Sequence, residues 1–380
     1  MIKVIKNIQV YAPEDIGVKD IVLCGDKVIS IEENFACETI KCEVIEGTNK
    51  IAVPGIIDSH VHITGGGGEG GFHTRTPEVN IRDIVRAGVT TVVGLLGTDG
   101  ITRSIEDLLA KAYALDNEGI STYILTGSYG VPSRTLTGNL KKDIAFIPKV
   151  RGVKIALSDH RSSHPTKEEL LRITSDVRVA GMLSGKQGVV HIHMGSEEKC
   201  LKDVFHIIEE TDIPANIFCP THINRNDLVL NEGVRLTQLG GRIDVSAHEE
   251  DPKGSAKDIV KAIDLGAVEH RITLSSDGNG SIPKFDEVGN MIGIGIGKLE
   301  AVIETVKHLI QHEHMEIGRA FKFVTENVAK GMGIYPHKGS ITKGCDGDIL
   351  ILDNNLNLDG VIAKGRVLMK DKEIFVKGTF

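Results

Sequence analysis

Apolar positions along this chain come in short blocks, and the spacing of the blocks separates the two ends from the middle. In residues 1 to about 50, "KVIKNIQVYA" and "DIVLCGDKVISIE" are rich in Val and Ile, with "GD" as a hairpin turn inside the second. The closing stretch "GDILILDNNLNLDGVIAKGRVLMKDKEIFVKGTF" has the same texture, short runs cut by Asn, Asp and Gly. Two β-rich ends around a different middle predict one small β-sandwich domain assembled from both termini, residues 1–51 and 336–380.

The middle, residues 52–335, alternates. Apolar runs occur at "AVPGIIDSHVHI", "TTVVGLLG", "STYILTGSY", "VRGVKIALSDH", "GVVHIHMG", "IFCPTHIN", "GRIDVSAHEE" and "RITLSSDG". Helical stretches lie between most of them: "RTPEVNIRDIVRAG", "TRSIEDLLAKAYALDNEG", "TKEELLRITSDVRVAGMLSG" and "KDIVKAIDLG". Thr166 with Glu169 reads as a capping box, and Gly88, Gly119 and Gly266 as helix stops. Eight strand–helix units over about 280 residues predict an α/β fold, a (β/α)8 TIM-type barrel. An open doubly wound sheet is the alternative, but it would want a glycine-rich dinucleotide loop after its first strand, and none is found.

Length and charge sharpen this only a little. With 380 residues, a large core and one small extra domain are easily accommodated. A formal net charge of -8 argues against nucleic acid or an anionic membrane as partner, though not against a small anionic substrate held by local arginines. Six cysteines (Cys24, Cys37, Cys42, Cys200, Cys219, Cys345) are scattered without a C-x-x-C pair, which fits buried thiols in a reducing cytoplasm. The first residues, "MIKVIKNIQVYAPEDIGVKD", lack a signal-peptide apolar run, and no segment approaches the roughly 20 apolar residues of a membrane span. A soluble, cytoplasmic protein is expected.

The candidate chemistry begins in "DSHVHITGGGGEGG", Asp58 to Gly71. Residues two apart on a strand share a face, so His60 and His62 point the same way, near the strand end where barrel active sites are built. Two close imidazoles suit zinc or another borderline metal, or are simply half-buried histidines. The other strand ends decide between these. Lys154 lies inside the fourth apolar run, His193 closes the fifth, His222 the sixth, and Asp277 follows the eighth. Each has an ordinary explanation alone, such as a strand-end charge or a capping aspartate. Their convergence on one barrel mouth favours a metal site. A protonated Lys154 cannot ligate a cation. Its deprotonated amine could react with carbon dioxide, giving an anionic carbamate able to bridge two metals.

The HxH, the strand-four lysine, the histidines of strands five and six and the strand-eight aspartate together resemble the binuclear amidohydrolase superfamily. "GGGGEGG", "TRTPEV", "TTVVGLLGTD", "VPSRTLTG", "SDHRS", "HMG", "PTHINRN" and "LSSDGNGS" narrow the resemblance to its isoaspartyl (β-aspartyl) dipeptidase family, over essentially the whole chain. That resemblance implies two zinc ions, one held by His60, His62 and Asp277 and the other by His193 and His222, bridged by carbamylated Lys154 and a hydroxide. It implies that Asp277 shuttles the proton and Tyr129 donates to the developing oxyanion. Glu69 would take the substrate ammonium, Arg161 and Arg225 the leaving residue's carboxylate, while Gly67, Thr98 and Ser281 contact the isoaspartyl end. It also implies a homo-octamer acting on dipeptides that arise when Asn and Asp isomerise.

Several features sit less easily. His191, two residues before His193, shares its face, and "SAHEED" with His248 is more acidic than the resemblance suggests. His308, His312 and His314 have metal-like spacing but fall on an outer helix, where a solvated face is expected. Zinc, cobalt and manganese all accept these ligands. Hydrolysis of a cyclic amide such as a dihydropyrimidine or dihydroorotate is the alternative activity, and a scaffold that has lost its metals the alternative class.

Overall fold

The computed structural model describes residues 2–36, 41–285 and 291–379. Cys37 lies outside the described residues. Eight parallel strands follow one another in chain order: β1 (Ile56–Val61), β2 (Val89–Gly94), β3 (Ser121–Gly127), β4 (Val150–Leu157), β5 (Val189–Met194), β6 (Phe218–Thr221), β7 (Ile243–Ser246) and β8 (Ile272–Ser275). The ring closes where Val61 bridges Gly278 and the His62 N–H donates to the Gly278 carbonyl at 2.9 Å. This is the (β/α)8 barrel. Its strands are buried on both faces, which is why they read as continuous apolar runs rather than alternating ones.

The helices form where the capping chemistry places them. Thr166 and Glu169 make both halves of a capping box at the start of helix Lys167–Ser184. Gly119 ends helix Ile105–Glu118 at φ 134°, and Gly88 and Gly266 follow their helices at φ 71° and 92°. The stretch "RTPEVNIRDIVRAG" contributes less helix than its pattern predicts, only Ile81–Arg86, capped by the Asn80 side chain. Among the described residues, no helix is long and apolar enough to cross a membrane.

Two features depart from the sequence pattern. The first apolar run is split at Gly55: Ile51–Pro54 pairs antiparallel with Ile349–Leu352 outside the barrel, and only Ile56 onward enters it. A Cβ at Gly55 would stand 2.2 Å from Thr90 Oγ1, so the chain turns from one sheet to the other through a position that admits no side chain. The second is an antiparallel hairpin, Ser281–Phe285 with Met291–Ile296, inserted between β8 and helix Ala301–Gln311.

Among the described residues, strands from both chain ends form a separate sheet of nine strands. It runs from Glu373–Ile374 through Ile349–Leu352 and Ile51–Pro54 to Ile2–Tyr11 and Lys27–Glu32. The Val28 N–H reaches the Cys345 carbonyl at 3.0 Å, so the sheet curls back on itself. The layers of the expected sandwich are thus parts of one continuous sheet, folded over a core that includes Ile5, Ile21, Leu23, Ile349 and Ile362. Lys338, 3% exposed, ties the connecting segment into it by ion pairs with Asp346 (2.8 Å) and Asp348.

Burial works against the charge on Lys338, but Asp348 and Asp346 outweigh it and hold the ammonium above its usual range. Burial likewise opposes the Asp346 charge, and Lys338 and Lys27 prevail to pull that carboxyl below its usual range. A depressed carboxyl contributes stability above its unfolded pKa of about 3.9 and loses it as pH falls; a raised ammonium contributes below about 10.4 and loses it as pH rises. The cluster therefore stabilises fully between these values. Removing one partner of a buried pair costs about 3–5 kcal/mol. Lys338→Met is expected to lose about that much in urea titrations at pH 7, with the deficit shrinking below about pH 4; an equal deficit at both pH values would contradict the assignment.

Candidate metal centre and reaction pocket

The barrel mouth gathers the residues that the strand-end pattern singled out. His60 lies in β1 and His62 just beyond it, Lys154 in β4 and His193 near the end of β5. His222 and Asp277 follow β6 and β8 in the left-handed region, at φ 60° and 50°. Non-glycine residues held there carry backbone strain of order 1–3 kcal/mol, which recurs at functional sites. Asp277 Oδ1 is 3.1 Å from His62 Nε2 and 3.2 Å from His60 Nε2, and Lys154 Nζ is 3.3 Å from the same His60 nitrogen. The His222 ring centroid lies 5.2 Å from that of His60 and 4.6 Å from that of His193.

The ring nitrogens sort into two kinds. His60 Nδ1 meets His191 Nε2 at 3.1 Å, His193 Nε2 meets Asp159 Oδ2 at 2.9 Å, and His222 Nδ1 meets Ser246 Oγ at 2.6 Å. In each ring one nitrogen is held by the barrel wall, which orients the ring; the other turns to the mouth, where His193 Nδ1 meets Tyr129. His62 is wedged by glycines instead: a Cβ on Gly97 would stand 2.8 Å from its Cε1, and one on Gly280 3.0 Å from its Cδ2. His62 Nδ1 is buried without a hydrogen-bond partner.

Protons are scarce here. Burial, then the neighbouring Lys154, holds the His60 imidazole far below its ordinary pKa. Burial, then His193, does the same to His222, and burial brings His193 down to about 3. The Lys154 amine, fully buried, is lowered to about 7 by the same desolvation. Burial opposes the Asp277 charge, but the His62 hydrogen bond and nearby positive groups keep its carboxyl below the usual range. Neutral imidazoles, a carboxylate and an amine near neutrality thus gather at the barrel mouth. This donor set suits a borderline divalent cation. Among the described residues, metal-compatible atoms converge only here, as His60 with His62 and Asp277, and one layer deeper as His60 with His191 and Asp244.

Beside the cluster lies a cavity of about 120 Å³. Gly67, Glu69, Thr98, Arg161, Arg225 and Ser281 line it, along with Tyr129, His193, His62 and Asp277. Glu69 Oε1 accepts from Thr98 Oγ1 at 3.2 Å and faces Arg161 Nη1 at 3.4 Å, while Glu69 Oε2 accepts from Ser281 Oγ at 3.2 Å. Tyr129 Oη is 2.6 Å from His193 Nδ1, and burial raises its pKa so that the phenol keeps its proton. A second chamber of about 340 Å³ shares Arg225, Asp277 and Ser281 and is closed by Asn224, Ala247 and His248.

The glycine run serves packing as well as access. Gly65, at φ 87°, would place a Cβ 2.3 Å from the Thr76 carbonyl, and Gly67, at φ 76°, 2.5 Å from the Thr74 carbonyl. Sequence reasoning did not single out Asp159, Ser246 or Asp244. The first lies inside "SDHRS", two positions before Arg161, and its acidic side chain there was its only signal; the others had none. His308, in helix Ala301–Gln311, and His312, just past its end, stack at 4.8 Å between ring centroids.

The chain is similar to several known proteins. The Amidohydrolase family matches residues 51–368. Two crystal structures of β-aspartyl dipeptidase from the thermophilic, keratin-degrading Fervidobacterium islandicum AW-1 cover the whole of this chain and of their own. One, in complex with the β-Asp-Leu dipeptide, is 45% identical with a TM-score of 0.93; the other is 42% identical with a TM-score of 0.92. A dihydroorotase from Listeria monocytogenes is 27% identical over 221 residues, 56% of this chain and 50% of its own. The chain spans about half the length of the curated relatives it first matches.

If the glycine wedge sets the His62 ring, adding one methyl group should be felt at the cluster. Gly97→Ala is expected to reduce divalent-cation retention by about tenfold or more, the scale of lost support around a ligand. Metal analysis of protein dialysed against a weak chelator measures it; retention equal to wild type would show that the ring tolerates the shift.

Proposed function

We propose that this chain, which belongs to the amidohydrolase family, is a zinc-dependent β-aspartyl dipeptidase that cleaves the isopeptide bond between an aspartate side-chain carboxyl and the amine of the next residue. The observation that carries this reading is the charge layout of the reaction pocket: a carboxylate, Glu69, and two guanidinium groups, Arg161 and Arg225, flank one donor cluster. An isoaspartyl dipeptide has a free ammonium at one end and a carboxylate on the leaving residue, matching both signs. A cyclic ureide has no ammonium for Glu69 to receive.

His60, His62 and Asp277 would hold one zinc ion and His193 with His222 the other, with Lys154 between them as its carbamate. Bound there, the pair would supply Lewis acidity at the scissile carbonyl and an activated water at neutral pH. Lys154 suits its part because burial lowers its amine to about 7. A large neutral fraction can then attack carbon dioxide, forming the N–C bond and losing one proton.

Glu69, braced by Thr98 and Ser281, receives the substrate ammonium, and the bare backbone at Gly67 lets the isoaspartyl end come close. Arg161 and Arg225 take the leaving residue's carboxylate, a task suited to planar forks. Tyr129, kept protonated by burial, donates from Oη to the carbonyl oxygen as negative charge builds. Asp277, with a third of its side chain open to the pocket, accepts the proton of the attacking water and passes it to the leaving nitrogen as the C–N bond breaks.

A hydrolysis screen of β-Asp-Leu, α-Asp-Leu, dihydroorotate and a dihydropyrimidine, with and without chelator, tests the reading. Only β-Asp-Leu should be cleaved well, and chelator should abolish the reaction. Glu69→Gln should lower kcat/KM for β-Asp-Leu by about 10- to 100-fold, the worth of a charged hydrogen bond. Cleavage of a cyclic substrate, with no effect of Glu69→Gln, would move the assignment to a cyclic amidohydrolase.

A further inference from the structure

The turn after β4 carries a carboxylate that neither the catalytic nor the substrate-binding assignments use. Asp159 is 4% exposed and its carboxylate meets four nitrogen atoms on two residues. Its Oδ1 accepts from the Arg161 backbone N–H at 2.8 Å and from Arg161 Nε at 2.9 Å. Its Oδ2 lies 2.8 Å from Arg161 Nη2 and 2.9 Å from His193 Nε2. One carboxylate therefore backs both the guanidinium that faces Glu69 and the imidazole that faces the donor cluster.

The backbone fixes this arrangement. The Gly195 N–H donates to the Leu157 carbonyl at 3.0 Å and the Glu197 N–H to the Ser158 carbonyl at 3.1 Å, zipping the loop after β5 to the turn after β4. A Cβ on Gly195 would stand 1.8 Å from the Ser158 carbonyl oxygen and 2.4 Å from Asp159 Cα, so the close approach depends on glycine there. Asp159 reaches His193 across 34 residues of sequence because these two loops touch.

We propose that Asp159 is a positioning residue that couples the substrate clamp to the metal centre. By accepting from His193 Nε2 it turns the Nδ1 lone pair to the pocket side, where it meets Tyr129 Oη at 2.6 Å, and makes that nitrogen a better donor. By forking onto Arg161 it pre-orients the guanidinium, whose remaining Nη1 is left for the pocket. The two duties share Oδ2, so a shift of one partner is felt by the other. This rests on the dipeptidase reading above, and the test separates the two.

The experiment compares wild-type and Asp159→Asn holoenzyme in metal retention against a competing chelator, and in KM for two substrates. One is β-Asp-Leu; the other is β-aspartyl 3-methylbutylamide, the same molecule without the leaving carboxylate. Metal retention should fall about 10- to 100-fold, the range for lost support behind a ligating histidine. KM should rise for β-Asp-Leu and stay near wild type for the amide, because only the former uses Arg161. Unchanged metal retention, or KM rising equally for both substrates, would overturn the proposal. Should the asparagine variant fail to fold, Asp159→Glu keeps the charge, displaces it by one methylene, and carries the same two readouts with smaller changes. A wild-type enzyme inert towards both substrates would instead sink the dipeptidase reading, while the retention measurement would still judge Asp159.

Discussion

The interior of this barrel is polar at its upper end, and satisfying that polarity constrains everything around it. A barrel normally fills its axis with branched apolar side chains in layers. Here His60, Lys154, His191 and Asp244 are all buried at 2% exposure or less. Each unsatisfied polar atom in such surroundings costs about 1–3 kcal/mol. The strands therefore supply hydroxyls where an apolar barrel would have methyl groups. Asp244 accepts from Thr221 Oγ1 (2.7 Å), Thr273 Oγ1 (2.7 Å) and Ser275 Oγ (2.6 Å), spanning β6, β7 and β8. Asp58 accepts from the His60 and Ser276 N–H groups, both at 3.2 Å, across the seam where the ring closes, and burial pushes its pKa up to about 7.

This polar layer has a consequence for the chemistry above it. A lysine at 0% exposure whose amine is lowered to about 7 is available as a nucleophile or a ligand in a way that a surface lysine is not. The same burial keeps the four neighbouring imidazoles of His60, His191, His193 and His222 unprotonated. One physical cause, desolvation by the barrel wall, prepares Lys154 and these four imidazoles at once. Pairwise hydrogen bonds then decide where each lone pair points, with His191, Asp159 and Ser246 each holding one ring nitrogen.

What was legible in the sequence followed from local periodicity. The two-residue repeat of a strand put His60 and His62 on one face, continuous apolar runs marked strands buried on both sides, and Thr166 with Glu169 announced a helix start. The residues named for substrate contact do line one cavity. Less legible was whatever depends on contact between distant segments. Nothing local tells Ile51–Pro54 to leave the run it begins and join Ile349–Leu352, because both sheets want the same apolar residues; the hint was Gly55, and its reason is the Thr90 side chain. The hairpin after β8 was missed because its strands, from Ser281 onward, lie beyond the apolar runs picked out along the chain.

Ser246 shows the same limit at the scale of one atom. In "GRIDVSAHEE" it is an unremarkable strand residue, and histidine two positions later draws the eye. Yet Ser246 Oγ is the group at His222 Nδ1, while His248 faces the outer chamber. The difference is one of facing: Ser246 ends β7 inside the barrel, and His248 lies beyond the strand. His191 and His193 show it in reverse, since the two-residue period places both on one face but at different depths. Depth decides their duties. His191, one layer down, meets His60 and lies beside Asp244, whereas His193 sits level with Tyr129, Arg161 and the pocket. A strand pattern identifies the face; only the height of each residue along the barrel axis separates the group that meets the substrate from the group that holds it in place.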